Sequence, residues 1–256
     1  MHRSGTAMAW NVFKFCTALR GLGSIMILLV LGVVGVTYYA VVLTNYGPAL
    51  SQGGVDSFVA LTILVLFHVL LAMLLWSYFS VVFTDPGAVP ANWRPASDEE
   101  RGESDPLTSL EFVGALNYKY FLLFLFYTFL ETTLVTLVLM PHFIAFFSDE
   151  EIPGTPGTLA TTFLAFVLNL AFALSVMGFL IMHISLVAGN TTTIEAYEKK
   201  TSARWRYDLG RKKNFEQVFG MDKRYWFIPG YTEEDLRRMP ELHGLEYPSK
   251  PDFDSQ

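Results

Sequence analysis

Four long apolar runs constrain this chain more than any other feature of its sequence. They cover residues 22–43, 58–83, 118–147 and 159–188. At 1.5 Å per helical residue, even the shortest run is about 33 Å long, which is enough to cross a hydrocarbon core of about 30 Å. Because a bilayer offers no water to backbone polar groups, segments of this kind cross it as helices. The sequence therefore predicts an all-α membrane protein with four transmembrane helices.

The composition favours the same class and excludes another. Hydrophobic residues make up 52% of the chain and charged residues only 16%, whereas soluble domains carry about 25% charged residues. Acidic residues outnumber basic ones, 24 to 18, and nucleic-acid binding usually needs a basic excess. We expect the lipid bilayer, and no nucleic acid, to be a partner.

The distribution of Lys and Arg predicts how the chain is oriented. No Lys or Arg occurs between the first and second runs (44–57) or between the third and fourth (148–158). Cytosolic loops carry the excess of basic residues, so both termini and the loop 84–117 are expected in the cytosol. The predicted organisation is a cytosolic N-terminal segment (1–21), a membrane domain (22–189) and a cytosolic C-terminal tail (190–256).

The tail contains two local patterns. Residues 199–213 hold seven basic side chains and one acidic one, a composition attracted to anionic lipid headgroups. Further on, Thr232 is followed three residues later by Asp235, a spacing that resembles a capping box with Thr232 as N-cap. We expect a short helix there that stops by Pro240.

Glu131 is the one acidic side chain inside an apolar run. A carboxylate at mid-membrane costs roughly 2.5–3.5 kcal/mol on insertion scales, so this side chain should face the bundle interior, be protonated or be paired. Thr132 and Thr133 are possible hydrogen-bond partners. An interior structural hydrogen bond is favoured over a proton relay at this intramembrane polar position.

Two further residue types could carry chemistry. His68, His142 and His183 lie in or near the runs, and histidines in membranes more often bond a neighbouring helix than a metal, so no metal site is predicted. Cys16 is the only cysteine. A juxtamembrane cysteine can be S-acylated, which would make the chain a lipoprotein, but a lone thiol is as readily inert.

Short motifs that follow the runs carry a family resemblance. In order they are Asp85-Pro86-Gly87 after the second run, Thr192-Thr193-Ile194-Glu195 after the fourth, and Asn214 to Gly220 in the tail. This ordered set resembles the DHHC-type protein S-acyltransferases (palmitoyltransferases), particularly the plant members. The resemblance implies four spans, cytosolic termini, palmitoyl-CoA as acyl donor and structural zinc in a cysteine-rich module between spans two and three. Golgi, endosomal and plasma membranes all fit the family, and Golgi or endosomal membranes are favoured over the plasma membrane.

The chain departs from that family where the chemistry should be. The loop 84–117 contains no Cys and no His, and Val113-Gly114 joins sequence typical of the two sides of the module. We therefore expect the whole module to be missing, as a splice variant or a gene-model error would leave it. No catalytic residue and no zinc ligand is then predicted, and the chain is expected to be inactive. The resemblance gives Asp85, Pro86, Gly87, Thr192, Thr193, Glu195 and Asn214 a supporting role.

Three functional interpretations follow. The chain is an S-acyltransferase by descent that has lost its activity, or a non-catalytic partner of full-length relatives, or, least favoured, a proton-coupled carrier built around Glu131. In each case the spans could still hold a fatty acyl chain. Protein substrates or full-length homologues are the expected protein partners.

Overall fold

Helices account for all regular structure in the described part of the chain. The computed structural model describes residues 14–84, 115–148, 154–198 and 207–238, and within these ranges no strand occurs. The all-helical prediction is therefore confirmed for the residues described.

Among the residues that the structure describes, four helical stretches are long and apolar enough to cross a membrane, which agrees with the predicted number. We call them spans one to four: Ile27–Ala49, Gly54–Phe83, Asn117–Ala145 and Pro156–Gly189. The helices that contain them are α1 (Lys14–Tyr38), continued by a π-helical segment (Tyr39–Tyr46) and the short α2 (Gly47–Ala49), then α3 (Gly54–Phe83), α4 (Ala115–Ala145) and α5 (Pro156–Gly189).

Span one continues past the predicted end at residue 43. The sequence predicts that Asn45 lies in a loop, yet its Nδ2 donates to the Ala40 carbonyl at 2.7 Å within the π-helical segment. The Gly47 amide donates to the Val42 carbonyl, and a Cβ at Gly47 would meet that carbonyl oxygen. The wider helical turn therefore needs glycine at this position, and the connection to span two shortens to residues 50–53.

Contacts divide the chain into two units. The first comprises residues 1–64 and 135–169. Within its described part, side chains of different helices bond each other: Asn169 Nδ2 donates to Thr37 Oγ1 at 2.9 Å, and Asn45 Nδ2 to Thr162 Oγ1 at 3.1 Å. Aromatic packing adds to this, since the rings of Phe143 and Phe166 stack at 4.1 Å between centroids.

The second unit comprises residues 65–134 and 170–256. Its core is formed by Leu74, Leu123 and Tyr127, and Phe219 from the tail packs against them. The described tail elements are α6 (Thr193–Glu198), α7 (Arg211–Phe219), a 3-10 turn (Lys223–Tyr225) and α8 (Glu233–Arg238).

The predicted capping box at the start of α8 is confirmed. The Asp235 amide donates to Thr232 Oγ1 at 3.0 Å, and the Thr232 amide donates to Asp235 Oδ2 at 3.3 Å. These reciprocal bonds satisfy orphan donors of the first helical turn. The helix ends at Arg238, before Pro240, as predicted.

Candidate functional site

Span four ends in a turn that depends on Asn190. This residue has φ +46 and is the only described non-glycine with positive φ. Its amide donates to the Val187 carbonyl at 3.0 Å, and the Thr191 amide donates to Leu186 at 3.1 Å. This pair of bonds satisfies the last carbonyls of a helix, and Asn tolerates the left-handed conformation that the turn requires.

The side chain of Asn190 then reaches the tail. Its Nδ2 donates to the Tyr207 carbonyl at 2.8 Å and to Gln217 Oε1 at 2.9 Å. Asn190 was not among the predicted site residues. The signal that could have found it is its position directly after the last apolar residues of span four, where Gly or Asn commonly ends a helix.

The Thr-Thr-x-Glu motif forms a local cap at the start of α6. The Thr192 amide and Oγ1 donate to Glu195 Oε2 at 2.7 and 2.9 Å, and the Glu195 amide donates back to Thr192 Oγ1 at 3.2 Å. Thr193 is exposed. The polar groups of Thr192 and Glu195 therefore hydrogen-bond each other and the backbone amides at the start of α6. A six-residue helix has few other means of satisfying its first amides.

Asn214 is the most completely engaged of the predicted motif residues. It is fully buried, and its Oδ1 accepts from the Leu209 amide at 3.0 Å. Its Nδ2 donates to the Ala188 carbonyl at 2.9 Å and to Asp208 Oδ1 at 2.8 Å. One side chain thus satisfies a carbonyl in the last turn of span four and fixes the loop that precedes α7.

Asn190 and Asn214 therefore act on the same short stretch, residues 207–209. We call Asn190, Asp208, Asn214 and Gln217 the asparagine cluster. The structure brings the Asn214 motif to the end of span four, beside which the Thr192–Glu195 cap begins. Asp85, Pro86 and Gly87 lie outside the described residues, as does the side chain of Cys16.

Span three makes a second set of contacts with the tail. Lys119, which is fully buried, donates from Nζ to the Gly230 carbonyl at 2.6 Å, and that nitrogen lies 4.6 Å from the centre of the Tyr231 ring. Tyr127 donates from its hydroxyl to the Phe227 carbonyl at 2.6 Å. Lys119 was not predicted to make this contact, because no local pattern in the sequence shows which backbone carbonyl a side chain will meet.

Tyr231 and Asp235 hold the tail together internally. The Tyr231 hydroxyl donates to the Val218 carbonyl at 2.7 Å, and burial raises the pKa of this phenol. Asp235 Oδ1 accepts from the Met221 amide at 3.0 Å. Gly220 has φ +94, and a Cβ there would lie 2.9 Å from Asp235 Oδ2. Glycine is needed here both for the backbone conformation and for the close approach of the carboxylate.

Glu131 faces the interior, as predicted, but its expected partners do not bond it. The residue is 4% exposed, and neither carboxyl oxygen has a hydrogen-bond partner among the described residues. Thr132 Oγ1 instead donates to the Thr128 carbonyl at 2.7 Å, a bond within its own helix that threonine commonly prefers. Thr133 Oγ1 has no partner there either. The prediction of a bond from Thr132 or Thr133 is wrong.

Of the three histidines, His183 makes a hydrogen bond between helices. Its Nδ1 lies 3.1 Å from the Tyr118 hydroxyl, which confirms the expectation for this residue. Within the described ranges no group of three or more His, Cys, Asp or Glu side chains converges to hold a metal. Structural zinc takes four nitrogen or sulfur ligands, and a sequence with one cysteine and five histidines offers no cysteine cluster. The residues present therefore do not fit the zinc module.

Known proteins resemble this chain along its whole length. A sequence model described as DHHC palmitoyltransferase matches residues 110–200. "Probable protein S-acyltransferase 14" from Arabidopsis thaliana is 78% identical over 307 positions that cover 100% of both chains. "Probable protein S-acyltransferase 13" from the same plant is 54% identical over 97% of this chain and 98% of its own. "Palmitoyltransferase ZDHHC20" from Bos taurus is 27% identical over 84% of this chain and 75% of its own.

The alignment with the first of these relatives is longer than the chain itself. It spans 307 positions, whereas this chain has 256 residues, so 51 of those positions have no residue here. The four apolar spans, the motif residues in sequence order and full-length coverage at 78% identity lead to one assignment. The chain belongs to the DHHC palmitoyltransferase family.

Proposed function

We propose that this chain is the membrane domain of a protein S-acyltransferase without its cysteine-rich catalytic module, and that it does not itself transfer palmitate. The observation that carries the proposal is the 51-position surplus in the alignment, combined with a loop 84–117 that holds no Cys and no His. By family, the activity is transfer of palmitate from palmitoyl-CoA to a protein cysteine.

The chemistry explains why the loss is decisive. Transfer through an acyl-enzyme needs a thiolate nucleophile with a base beside it. The chain has one thiol, Cys16, which precedes all of the family motifs and lies far in sequence from every intramembrane histidine. No catalytic residue is assigned. Zinc is not assigned either, because the ligands it would need are missing from the sequence.

The parts that remain are those that hold the tail to the spans. We propose that Thr192, Thr193, Glu195 and Asn214, together with Asp85, Pro86 and Gly87, support the position that the module would occupy. The bonds of Asn214 to Ala188 and Leu209 support this role, because they fix where the tail leaves span four. Without the module, these residues keep only their local bonds.

Orientation and location are part of the same proposal. Both termini face the cytosol, and residues 199–213 attract anionic headgroups of Golgi or endosomal membranes. The spans hold a fatty acyl chain, and Cys16 is a site of S-acylation. Protease protection of a tagged C-terminus in sealed microsomes tests the orientation, which fails if the tag survives without detergent.

Restoring the module is the sharpest test of the functional proposal. The chain is purified in detergent and incubated with labelled palmitoyl-CoA, beside a chimera that carries the extra segment of its Arabidopsis thaliana relative between Phe112 and Val113. We expect hydroxylamine-sensitive label on the chimera and none on Cys16→Ala of the chain as given. Transfer of palmitate to an added cysteine-containing peptide by the Cys16→Ala variant would contradict the predicted inactivity of the chain.

The chimera needs its own control. Replacing every cysteine of the inserted segment with serine should abolish its label while leaving its expression unchanged. A labelled parent chain with Cys16 intact, but not with Cys16→Ala, would show S-acylation of Cys16 rather than enzyme turnover.

A regulatory role is the second functional proposal. The chain has four candidate spans and aligns with a relative over 100% of both chains, so we propose that it pairs with full-length homologues as a non-catalytic partner. Co-purification of differently tagged chains tests this. Clean separation of the two at matched expression would count against it.

The buried carboxyl of Glu131 favours a third, weaker proposal of a proton-coupled carrier. An unpartnered carboxyl at 4% exposure is costly in a bilayer and is often functional. Transport that is unchanged by Glu131→Gln in reconstituted vesicles would remove this proposal.

A further inference from the structure

One segment of the tail exposes apolar side chains where a soluble tail would bury them. We call residues 221–228 the tail loop. Met221 is 60% exposed, Phe227 is 58% exposed and Tyr225 is 39% exposed. The loop is nevertheless well anchored, because Trp226 Nε1 donates to the Gly220 carbonyl at 2.9 Å and the Asp235 carboxylate holds the Met221 amide.

The tail loop lies deep along span three. Its Phe227 carbonyl accepts from the Tyr127 hydroxyl at 2.6 Å, and the Phe227 ring lies 5.7 Å from that of Phe126. Tyr127 is ten residues inside the start of the span at Asn117, a distance of about 15 Å along the helix axis.

Span two gives an independent measure of the same depth. Phe219, just before the tail loop, packs against the core formed by Leu74, Leu123 and Tyr127. Leu74 lies nine residues before the end of span two at Phe83, or about 14 Å along the axis. The two helices therefore agree on how far the tail reaches.

The length of span three converts this depth into a position in the bilayer. Its 29 residues extend about 44 Å, so the helix is about 14 Å longer than a hydrocarbon core of about 30 Å is thick. Even if all of that excess lay at the Asn117 end, the Cα of Tyr127 would be at the hydrocarbon boundary. Because helical side chains lean toward the N-terminus, the Phe227 carbonyl lies at that boundary or slightly toward the headgroups.

The charges of the segment suit a lipid surface. Arg224 and Asp222 neutralise each other through bonds of 2.7 and 3.1 Å, which leaves exposed Lys223, whose Nζ lies 5.8 Å from the centre of the Trp226 ring. The first turn of α7 adds three exposed basic residues: Arg211, Lys212 and Lys213. An exposed apolar side chain with basic neighbours is typical of an interfacial segment on anionic lipid.

We propose that the tail loop inserts into the bilayer surface, with Phe227 among the acyl chains and Lys223 at the phosphates of anionic glycerophospholipids. The apolar surface of the loop continues the lipid-facing surface of span three through the contact between Phe126 and Phe227. The tail is then a membrane-seated element from α7 to the tail loop, rather than a domain suspended in the cytosol.

Depth measurement with a nitroxide tests this directly. In the Cys16→Ser background, a spin label is placed at Phe227→Cys or Met221→Cys, and the full chain is reconstituted in nanodiscs of phosphatidylcholine with phosphatidylserine. The carbonyl that Tyr127 holds is backbone, so these substitutions leave the anchor intact. Collision with oxygen and with a water-soluble nickel chelate is compared, because oxygen concentrates in hydrocarbon.

The expected result is that the label at residue 227 collides more with oxygen than with nickel, approaching the ratio of a lipid-facing standard at Leu174→Cys in span four. A label at Arg237→Cys, exposed in α8, should favour nickel. A ratio at residue 227 equal to that at residue 237 would overturn the proposal. Protection from both reagents at residue 227 would overturn it too, since it would mean that a protein surface covers the loop.

The lipid charge forms a second arm of the experiment. Adding phosphatidylserine to phosphatidylcholine should deepen the label at residue 221, and Lys223→Gln should remove most of that response. A response that is the same in Lys223→Gln would exclude the assignment of Lys223 to the phosphates. None of these readouts depends on palmitate transfer, so they test the tail loop apart from the functional proposal.

Discussion

The two units of the molecule use polar side chains differently. In the first unit, the bonds between helices join regular helical segments: Asn169 and Asn45 donate to threonine hydroxyls, and Tyr46 donates to the Val138 carbonyl at 2.7 Å. In the second, Lys119, Tyr127 and Asn214 donate to backbone carbonyls, two of them in tail segments without regular structure.

This difference indicates which hydrogen bonds can be lost at a small cost in stability. A helix in a bilayer already satisfies its backbone, and a polar side chain separated from its neighbour finds other partners, so measured bonds between membrane helices average about 0.6 kcal/mol. A buried carbonyl or amide in an irregular segment has no partner within its own backbone, and leaving one unsatisfied costs about 1–3 kcal/mol. We therefore expect the second unit to be more sensitive to single polar substitutions.

Asn214→Ala should give the largest effect. It leaves the Leu209 amide and the Ala188 carbonyl without their partner, and we expect a loss of about 3 kcal/mol in the free energy that orders α7. Hydrogen exchange of the α7 amides in detergent measures it. The control is Lys213→Ala, the exposed neighbour on the same helix, which should change little. Equal protection in the two variants would contradict the proposed difference between the units.

Gly47→Ala sharpens the comparison from the side of the first unit, where backbone packing is expected to matter more than polar pairs. The new Cβ would meet the Val42 carbonyl, and we expect a loss of about 2 kcal/mol from the shift this forces. Gly32→Ala is the matched control, because a Cβ there meets nothing within 4 Å and alanine favours a helix. The thermal midpoints of the two variants should therefore move in opposite directions.

Tyr231 gives the second unit an alkaline limit. Burial raises the pKa of this phenol above 10.0, so the folded state favours the neutral form. Its contribution to stability is complete below pH 10 and is lost as the pH rises toward the raised pKa. Tyr231→Phe should cost about 1 kcal/mol near neutral pH through the lost bond to Val218.

In Tyr231→Phe, the decline in tail stability above pH 10 should be smaller than in the wild type. Hydrogen exchange of the α7 amides measures this decline. Tyr225→Phe, at an exposed tyrosine in the same tail, serves as the control. A decline that is identical in wild type and Tyr231→Phe would exclude Tyr231 as its source.

Asn169→Leu should give the smallest effect. It removes the bond to Thr37 in the first unit, and the expected loss is about 0.6 kcal/mol. A double-mutant cycle with Thr37→Val isolates the pair. A coupling energy as large as the loss in Asn214→Ala would erase the distinction between the two units.

The features that could be predicted from the sequence are those with a local physical cause. Hydrophobic runs longer than a bilayer is thick predict spans, and a Thr232–Asp235 spacing predicts a helix start, because each signal is complete within its own segment. Asn214 was identified only through a family motif, and nothing in the neighbouring residues indicates that its amide will bond Ala188, 26 residues earlier.

The predictions that the structure contradicts also have a common cause. Thr132 was expected to bond Glu131, yet its hydroxyl bonds a carbonyl of its own helix, because the helix supplies that acceptor at fixed geometry. Asn45 was placed in a loop, although a π-helical turn and Thr162 give its amide two acceptors. In each case the outcome depended on which acceptor lay within reach.

The sequence by itself determined that this chain has four apolar segments long enough to cross a membrane, that it has one thiol and that the loop 84–117 contains no Cys and no His. Only the tertiary structure decided which side chains tie the tail to the spans, where along span three the tail loop makes its contacts, and that Glu131 is buried without a hydrogen-bond partner among the described residues. The reason is physical: hydrophobic burial follows composition over a segment, whereas a hydrogen bond requires two particular atoms about 3 Å apart, and the folded chain alone brings them together.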